Sequence, residues 1–169
     1  MLISPELVLI FGSPKYREAV YVIPPVAASV FFIFIYNILS MPQFYYEKTQ
    51  FLMAASMAAA GANVVLNFIF IRLFGYIAAG YTTLACYMLY SVGHYIVSKQ
   101  ILVNEGIQEN LMSPGFLVAC SVFLIGASII CNLIFPYRIL RYAILLASAG
   151  LVFWKKELLL KTMADIRKK

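Results

Sequence analysis

Four runs without a single Asp, Glu, Lys or Arg dominate the chain: Ala19 to Ser40, Phe51 to Ile71, Ile77 to Val97 and Gly115 to Phe135. A helix that crosses about 30 Å of hydrocarbon needs about 20 mostly apolar residues, and each run meets that length. A charge at mid-bilayer costs about 2.5 to 3.5 kcal/mol even on insertion scales, so runs this clean predict spanning helices. A fifth run, Ile139 to Trp154, is shorter and holds Arg141 in its first turn. There the stem can carry the charge to the interface while Trp154 sits at the opposite one. The pattern predicts an all-α, polytopic membrane bundle of about five transmembrane helices.

The polar stretches divide this bundle. Residues 1–18 hold one apolar patch, Leu7 to Phe11, too short to cross and closed by Gly12, Ser13 and Pro14; they form an interfacial stub or loop. Residues 19–98 make a three-helix segment, 99–114 a connection, 115–154 a terminal helical hairpin and 155–169 a basic tail. Two of the turns, Arg72 to Tyr76 and Pro136 to Arg138, are tight, as in an up-and-down arrangement.

Composition supports lipid as the solvent. The 169 residues are 63% hydrophobic and 12% charged, with a mean hydropathy of +0.89, whereas soluble domains carry about 25% charged residues. The net charge of +6 does not point to nucleic acid, because the basic residues lie between and after the apolar runs rather than on one readable face. Six of the 13 fall in the tail after Trp154. With five spans, the face of the tail also carries Lys48 and Lys99, against Lys15, Arg17, Arg72, Arg138 and Arg141 opposite. The bias places the C-terminus, and the turn holding Lys48 and Thr49, in the cytoplasm.

Catalytic and metal patterns are missing from the sequence. There is no His-Glu-x-x-His, Gly-x-Ser-x-Gly or phosphate-cradling loop, and no carboxylate inside the four long runs. Cys86, Cys120 and Cys131 lack the paired spacing of a metal or redox motif and read as small hydrophobes. The single histidine, His94, reads as a packed polar residue. These features argue against an enzyme and require neither cofactor nor metal.

Within the spans the polarity is neutral. Asn37 lies in the first and Asn132 in the fourth. Asn63 and Asn67, four apart on one face of the second, continue a stripe with Ser56 and Ala60 and precede Thr82 and Thr83 of the third. Such residues must face protein or a wet cavity, and the sequence leaves open whether they are interhelical glue or cavity wall. Pro24 and Pro25, one turn into the first span, can kink or soften that helix as a hinge. The small-residue run Ala54 to Ala62, which includes Gly61, permits close helix packing.

Three patterns, in this order and spacing, resemble the C-terminal portion of polysaccharide-biosynthesis (O-antigen) flippases of the multidrug/oligosaccharidyl-lipid/polysaccharide exporter superfamily. They are Phe11-Gly12 followed by Tyr16-Arg17-Glu18-Ala19; Phe44-Tyr45-Tyr46-Glu47-Lys48-Thr49; and Asn63-Val64-Val65-Leu66-Asn67 followed by Gly75-Tyr76-Ile77-Ala78-Ala79-Gly80-Tyr81-Thr82-Thr83. The resemblance covers about the first hundred residues. It implies a partial C-terminal lobe of a two-lobe transporter that moves undecaprenyl-pyrophosphate-linked oligosaccharide across the bacterial inner membrane. The polyprenyl-linked sugar and the bilayer would be its partners, with a missing N-terminal lobe or other polysaccharide-assembly proteins. Gly75 and Gly80 fall at the family's glycine turn and small-residue helix. The substrate-path candidates are Asn37, Asn63, Asn67 and Arg72, the last also suited to an interfacial anchor. Two other classes stay open. A drug exporter would want an intramembrane carboxylate and no terminal hairpin. A membrane enzyme or structural partner of polysaccharide assembly would want, for the enzyme, a larger loop than Ser98 to Pro114.

Overall fold

The computed structural model describes residues 2–12, 14–107 and 112–154; the basic tail, 155–169, lies outside the described residues, as does part of the 99–114 connection. Among the described residues the secondary structure is helical. A short α1 (Ser4–Phe11) and a 3-10 stretch (Pro14–Val22) lead into α2 (Ile23–Tyr45). Then follow α3 (Gln50–Phe74), α4 (Ala78–Asn104), α5 (Pro114–Ile134) and α6 (Arg138–Trp154). Among the described residues the chain divides into a larger unit, residues 3–132, and a smaller one that begins at residue 133.

Among the described residues three helices are long and apolar enough to cross a membrane: Arg17–Tyr45, which runs through the 3-10 stretch, Gln50–Phe74 and Pro114–Ile134. At 27 residues α4 has the length, but Thr82, Thr83, Ser91, His94 and Ser98 dilute its apolar character. α6 is described over 17 residues, up to Trp154.

In the larger unit α4 is the central helix, packed on α2 along one side and on α3 along another. The contact face of α2 is the row Ala28, Phe32, Ile35 and Leu39, all buried at spacings of four, three and four, which keep one helical face turned to the partner. Ala28 and Phe32 form the core with Leu84 of α4, and Leu124 and Ile125 of α5 pack against it. Asn132 fastens α5 further, its amide donating to the Tyr81 hydroxyl at 2.8 Å and to the Tyr21 carbonyl at 3.3 Å.

The turns follow from local chemistry. The last turn of α2 closes with Glu47 N–H bonded to the Phe44 carbonyl (3.1 Å) and Lys48 N–H to that of Gln43 (2.8 Å), the paired bonds of a Schellman cap. Glu47 takes the left-handed position, φ 56°, where glycine is usual. Gly106 at the end of α4, φ 75°, completes the same motif through Gly106 N–H to Val103 and Ile107 N–H to Leu102. Gly75 stops α3 with φ 75° and ψ −178°, a conformation restricted in practice to glycine. The following Tyr76 donates its hydroxyl to Glu18 at 3.1 Å, tying the α3–α4 turn to the 3-10 stretch.

Pro24 and Pro25 stand in the first turn of α2, where the 3-10 stretch becomes α-helix. At that position the absent N–H groups have no intrahelical acceptor to lose, so the prolines mark a change of helix type and do not kink an α-helix interior. Gly80 fits against them: a Cβ there would stand 2.8 Å from Pro25 Cγ and 3.0 Å from the Val22 carbonyl oxygen. Gly61, by contrast, is exposed with no neighbouring atom within 4 Å of such a Cβ, so it packs against nothing among the described residues.

In the smaller unit, Arg141 is buried within the protein. It is 2% exposed, and its Nη1 donates to the Phe135 carbonyl at 3.4 Å. That carbonyl lies where α5 has ended, so it offers the guanidinium an acceptor inside the protein.

Candidate functional site: a neutral groove between three helices

The side of α4 that meets α2 is closed by a buried polar cluster. Tyr87, Ser91, His94 and Ser98 repeat at four, three and four residues and so line one face. Ser91 Oγ donates to the Phe32 carbonyl at 3.0 Å, and Ser98 Oγ to that of Leu39. Gln43, near the C-terminal end of α2, donates its amide to Ser98 Oγ at 2.8 Å. The same amide approaches His94 Nδ1 at 2.9 Å and the His94 carbonyl at 3.3 Å. Gln43, His94 and Ser98 are fully buried. Pro42 beside them lacks an N–H, which frees the carbonyl one turn earlier in α2.

Around His94 stand three aromatic rings. Tyr90 meets it edge to face with centroids 4.4 Å apart, as does Phe51 of α3 at 5.6 Å, while Tyr36 of α2 is stacked on it at 5.8 Å. Tyr36 also packs edge to face on Tyr90 at 4.7 Å and lies nearly parallel to Tyr87 at 6.4 Å. These rings are too large to let α3 close on α2. No residue of α3 is buried, and a groove of about 480 Å³ opens between α2, α3 and α4.

The groove is lined by Tyr36, Tyr87 and Tyr90 and by Ser56, Asn63 and Thr83, with small apolar residues between them. None of its ten lining residues carries a charge. Ser56 and Tyr90 hydroxyls lie 2.7 Å apart, which fixes Tyr90 from α3 while His94 braces its ring from the other side. Asn63 accepts from the Asn67 amide at 2.8 Å and reaches Thr83 Oγ1 at 3.5 Å; Thr82 Oγ1 donates to Asn67 Oδ1 at 2.5 Å or to the Ala79 carbonyl at 3.0 Å.

The choice between glue and cavity wall, open in the sequence, is thereby divided. Asn67 joins α3 to α4 and Asn63 does this while also facing the groove. Asn37 bonds its own helix, at the Ile33 carbonyl (2.7 Å), and borders an adjoining groove with Tyr36, Ser40, Ser56 and Tyr90. Arg72 lies apart, in the last turn of α3, with its guanidinium 4.0 Å from the Phe68 ring centroid. A cation there sits favourably at a helix C-terminus and on an aromatic face. On the other side of the α3–α4 contact an apolar groove of about 440 Å³ runs along Phe51, Ala54, Ala55, Ala58 and Leu89.

Gln43, Tyr36, Tyr87 and Tyr90 were not singled out by the sequence reading. The available signal was the four-three-four recurrence of polar residues on α4 opposite the apolar row on α2. Among the described residues no group of three or more His, Cys, Asp or Glu could hold a metal ion, and Cys86, Cys120 and Cys131 are free thiols. Compared with protein-family models, curated proteins and solved structures, the chain matches none.

Proposed function

We propose that this chain is a membrane-embedded lobe of a flippase for polyprenyl-linked oligosaccharides, with five spans and its C-terminus in the cytoplasm. The observation that carries this reading is the groove between α2, α3 and α4, which is neutral, aromatic and rich in hydroxyl and amide groups. Two of the three helices that border it, α2 and α3, are long and apolar enough to cross a membrane by length and composition. A transporter needs a polar path inside an apolar shell, and polar groups at membrane depth otherwise face a cost of several kcal/mol each. The sequence patterns around Lys48 and Asn63 support the flippase family in particular. The absence of charge from the groove favours an uncharged cargo group over a cationic drug, which would call for a carboxylate. In this reading Pro24 and Pro25, at the change of helix type, are the hinge about which α2 moves.

The test is expression of the two-lobe transporter, with this chain as its C-terminal lobe, in a bacterium that lacks its own surface-glycan flippase but makes the matching lipid-linked repeat unit. Recovery of surface glycan, lost again in Tyr36→Ala, supports the proposal. An inserted, expressed protein that leaves the repeat unit on the cytoplasmic leaflet overturns it. Reporter fusions after Lys48, Gly106 and Tyr137 check the spans, with cytoplasmic signal expected at the first two and periplasmic signal at the third.

A further inference from the structure

We infer that the groove between α2, α3 and α4 is a binding site for one uncharged pyranose ring, the sugar part of an amphiphilic cargo and not its phosphate. The inference deepens the flippase reading and rests on it only for placing the groove on a transport route. A pyranose has two chemistries in one ring, a face of C–H groups and a rim of hydroxyls. Its C–H face suits the electron-rich face of an aromatic ring, and its rim demands a dense set of neutral donors and acceptors. The groove supplies both in one lining, the rings of Tyr36, Tyr87 and Tyr90 together with the polar groups of Asn63, Thr83 and Ser56.

Hydrogen-bonding capacity in the groove is unfilled. Among the described residues the hydroxyls of Tyr36 and Tyr87 meet no hydrogen-bond partner. The Asn63 amide has two N–H groups and only the long 3.5 Å approach to Thr83, whose own hydroxyl proton is also uncommitted. At membrane depth such groups must be filled by water or by a polar ligand. A volume of about 480 Å³ lies within the roughly 300–1,000 Å³ of small-ligand sites.

The pocket is also built in advance. Tyr90 is held at its hydroxyl by Ser56 and at its ring by His94, and His94 is held in turn by Gln43. A ring fixed before the ligand arrives loses little freedom on binding. Charge decides against the alternatives: with no Lys or Arg in its lining the groove has nothing to neutralise a phosphate or a uronic acid.

The experiment is saturation-transfer NMR on the full chain in lipid nanodiscs, with methyl glucoside, methyl galactoside, N-acetylglucosamine and glucuronate as probes. At least one neutral probe should receive saturation at its ring C–H protons, and glucuronate should receive none. Replacing a stacking ring should cost about fivefold in signal in Tyr36→Leu, whereas Tyr36→Phe keeps the ring and most of the signal. Thr83→Val, nearly the same shape, should weaken the signal with the fold intact, so the test survives a Tyr36 variant that folds poorly. Tyr45→Leu, exposed at the end of α2, serves as the control. No transfer to any neutral probe means a groove that holds only water and overturns the inference, as does equal transfer in parent, Tyr36→Leu and Thr83→Val. Sugar binding without glycan export would sink the flippase reading and leave this site standing; export without sugar binding would do the reverse.

Discussion

The two sides of α4 use similar residue types to opposite ends. Toward α2 the polar side chains are short, and they bond main-chain carbonyls: Ser91 to Phe32 and Ser98 to Leu39, with Gln43 crossing to meet His94 and Ser98. Toward α3 they bond other side chains, Ser56 to Tyr90 and Asn67 to Thr82, and the tyrosines hold the helices apart. A seryl hydroxyl can reach a neighbouring carbonyl only when two helices approach closely, so each such bond marks tight contact. A tyrosine at an equivalent position fills the gap with its ring and leaves space at the rim. Thus the α2–α4 seam is a fixed joint, and the α3–α4 side is an open one that supplies a groove.

The largest effect should come from closing the fixed joint too far. Gly80→Val forces a branched side chain against the Pro25 ring and the Val22 carbonyl, with a Cβ already inside van der Waals distance. Overpacking of this kind costs about 1–3 kcal/mol, and the valine should reach the top of that range. Gly61→Val on exposed α3, where a Cβ meets nothing within 4 Å, should change stability by less than about 0.5 kcal/mol. Thermal unfolding in detergent compares the two. Equal losses would erase the distinction between the sides.

Next in size is Gln43→Leu. It strands His94 Nδ1 and removes a donor from Ser98 among fully buried residues, at about 1–3 kcal/mol. Adding His94→Phe removes the stranded nitrogen as well, so the double variant should recover part of the loss. A coupling energy near zero in that cycle would show that the cluster is not one unit.

How much of this is legible in the sequence follows the same division. The apolar runs were plain because lipid imposes length and purity on a span, and α2, α3 and α5 lie close to their expected limits. The third run was harder. Between Ile77 and Val97 the sequence is uncharged, but its seryl, threonyl, tyrosyl and histidyl residues belong to a helix walled in by its neighbours, and a hydropathy pattern cannot tell burial in protein from burial in lipid. The Asn63–Asn67 stripe was visible from spacing, and its partners Thr82 and Thr83 were already adjacent in the reading. Gln43 was not, because it fell in what looked like a connection. The helix in fact continues past Pro42 to Tyr45, since proline near a helix end forfeits only one bond that the neighbouring chain can replace. Tyrosines gave no signal because twelve of them are scattered through the chain, and only the fold brings three together.

A milder change probes the open joint. Asn67→Ala removes the bond to Thr82 and one partner of Asn63, and side-chain bonds between membrane helices are worth about 0.6 kcal/mol each. Global stability should fall by about that much. Hydrogen exchange should accelerate along α3 while α2 is unchanged. Acceleration spread evenly over both helices would mean that α3 is as firmly joined as α2.

The smallest effect lies at the turn that connects the two sides. Glu47 and Gly106 occupy the same left-handed position of the same cap, φ 56° and φ 75°, at the ends of α2 and α4. A non-glycine residue there carries roughly 1–2 kcal/mol of steric cost, and glycine relieves it while losing about 0.5–1 kcal/mol through greater freedom in the unfolded chain. Glu47→Gly should therefore stabilise by about 0.5 kcal/mol, and Gly106→Glu should destabilise by about as much, roughly 0.5 kcal/mol, both measurable as shifts in thermal unfolding. The first value tests more than backbone strain. Glu47 begins the link that carries α2 into α3, and it is exposed, so its carboxylate contributes no buried contact to offset the strain. If Glu47→Gly leaves stability unchanged or lowers it, the strained turn is not an independent element. The link would then share its energy with the way α3 rests on α4, and the open joint would begin at Glu47 instead of at the tyrosines.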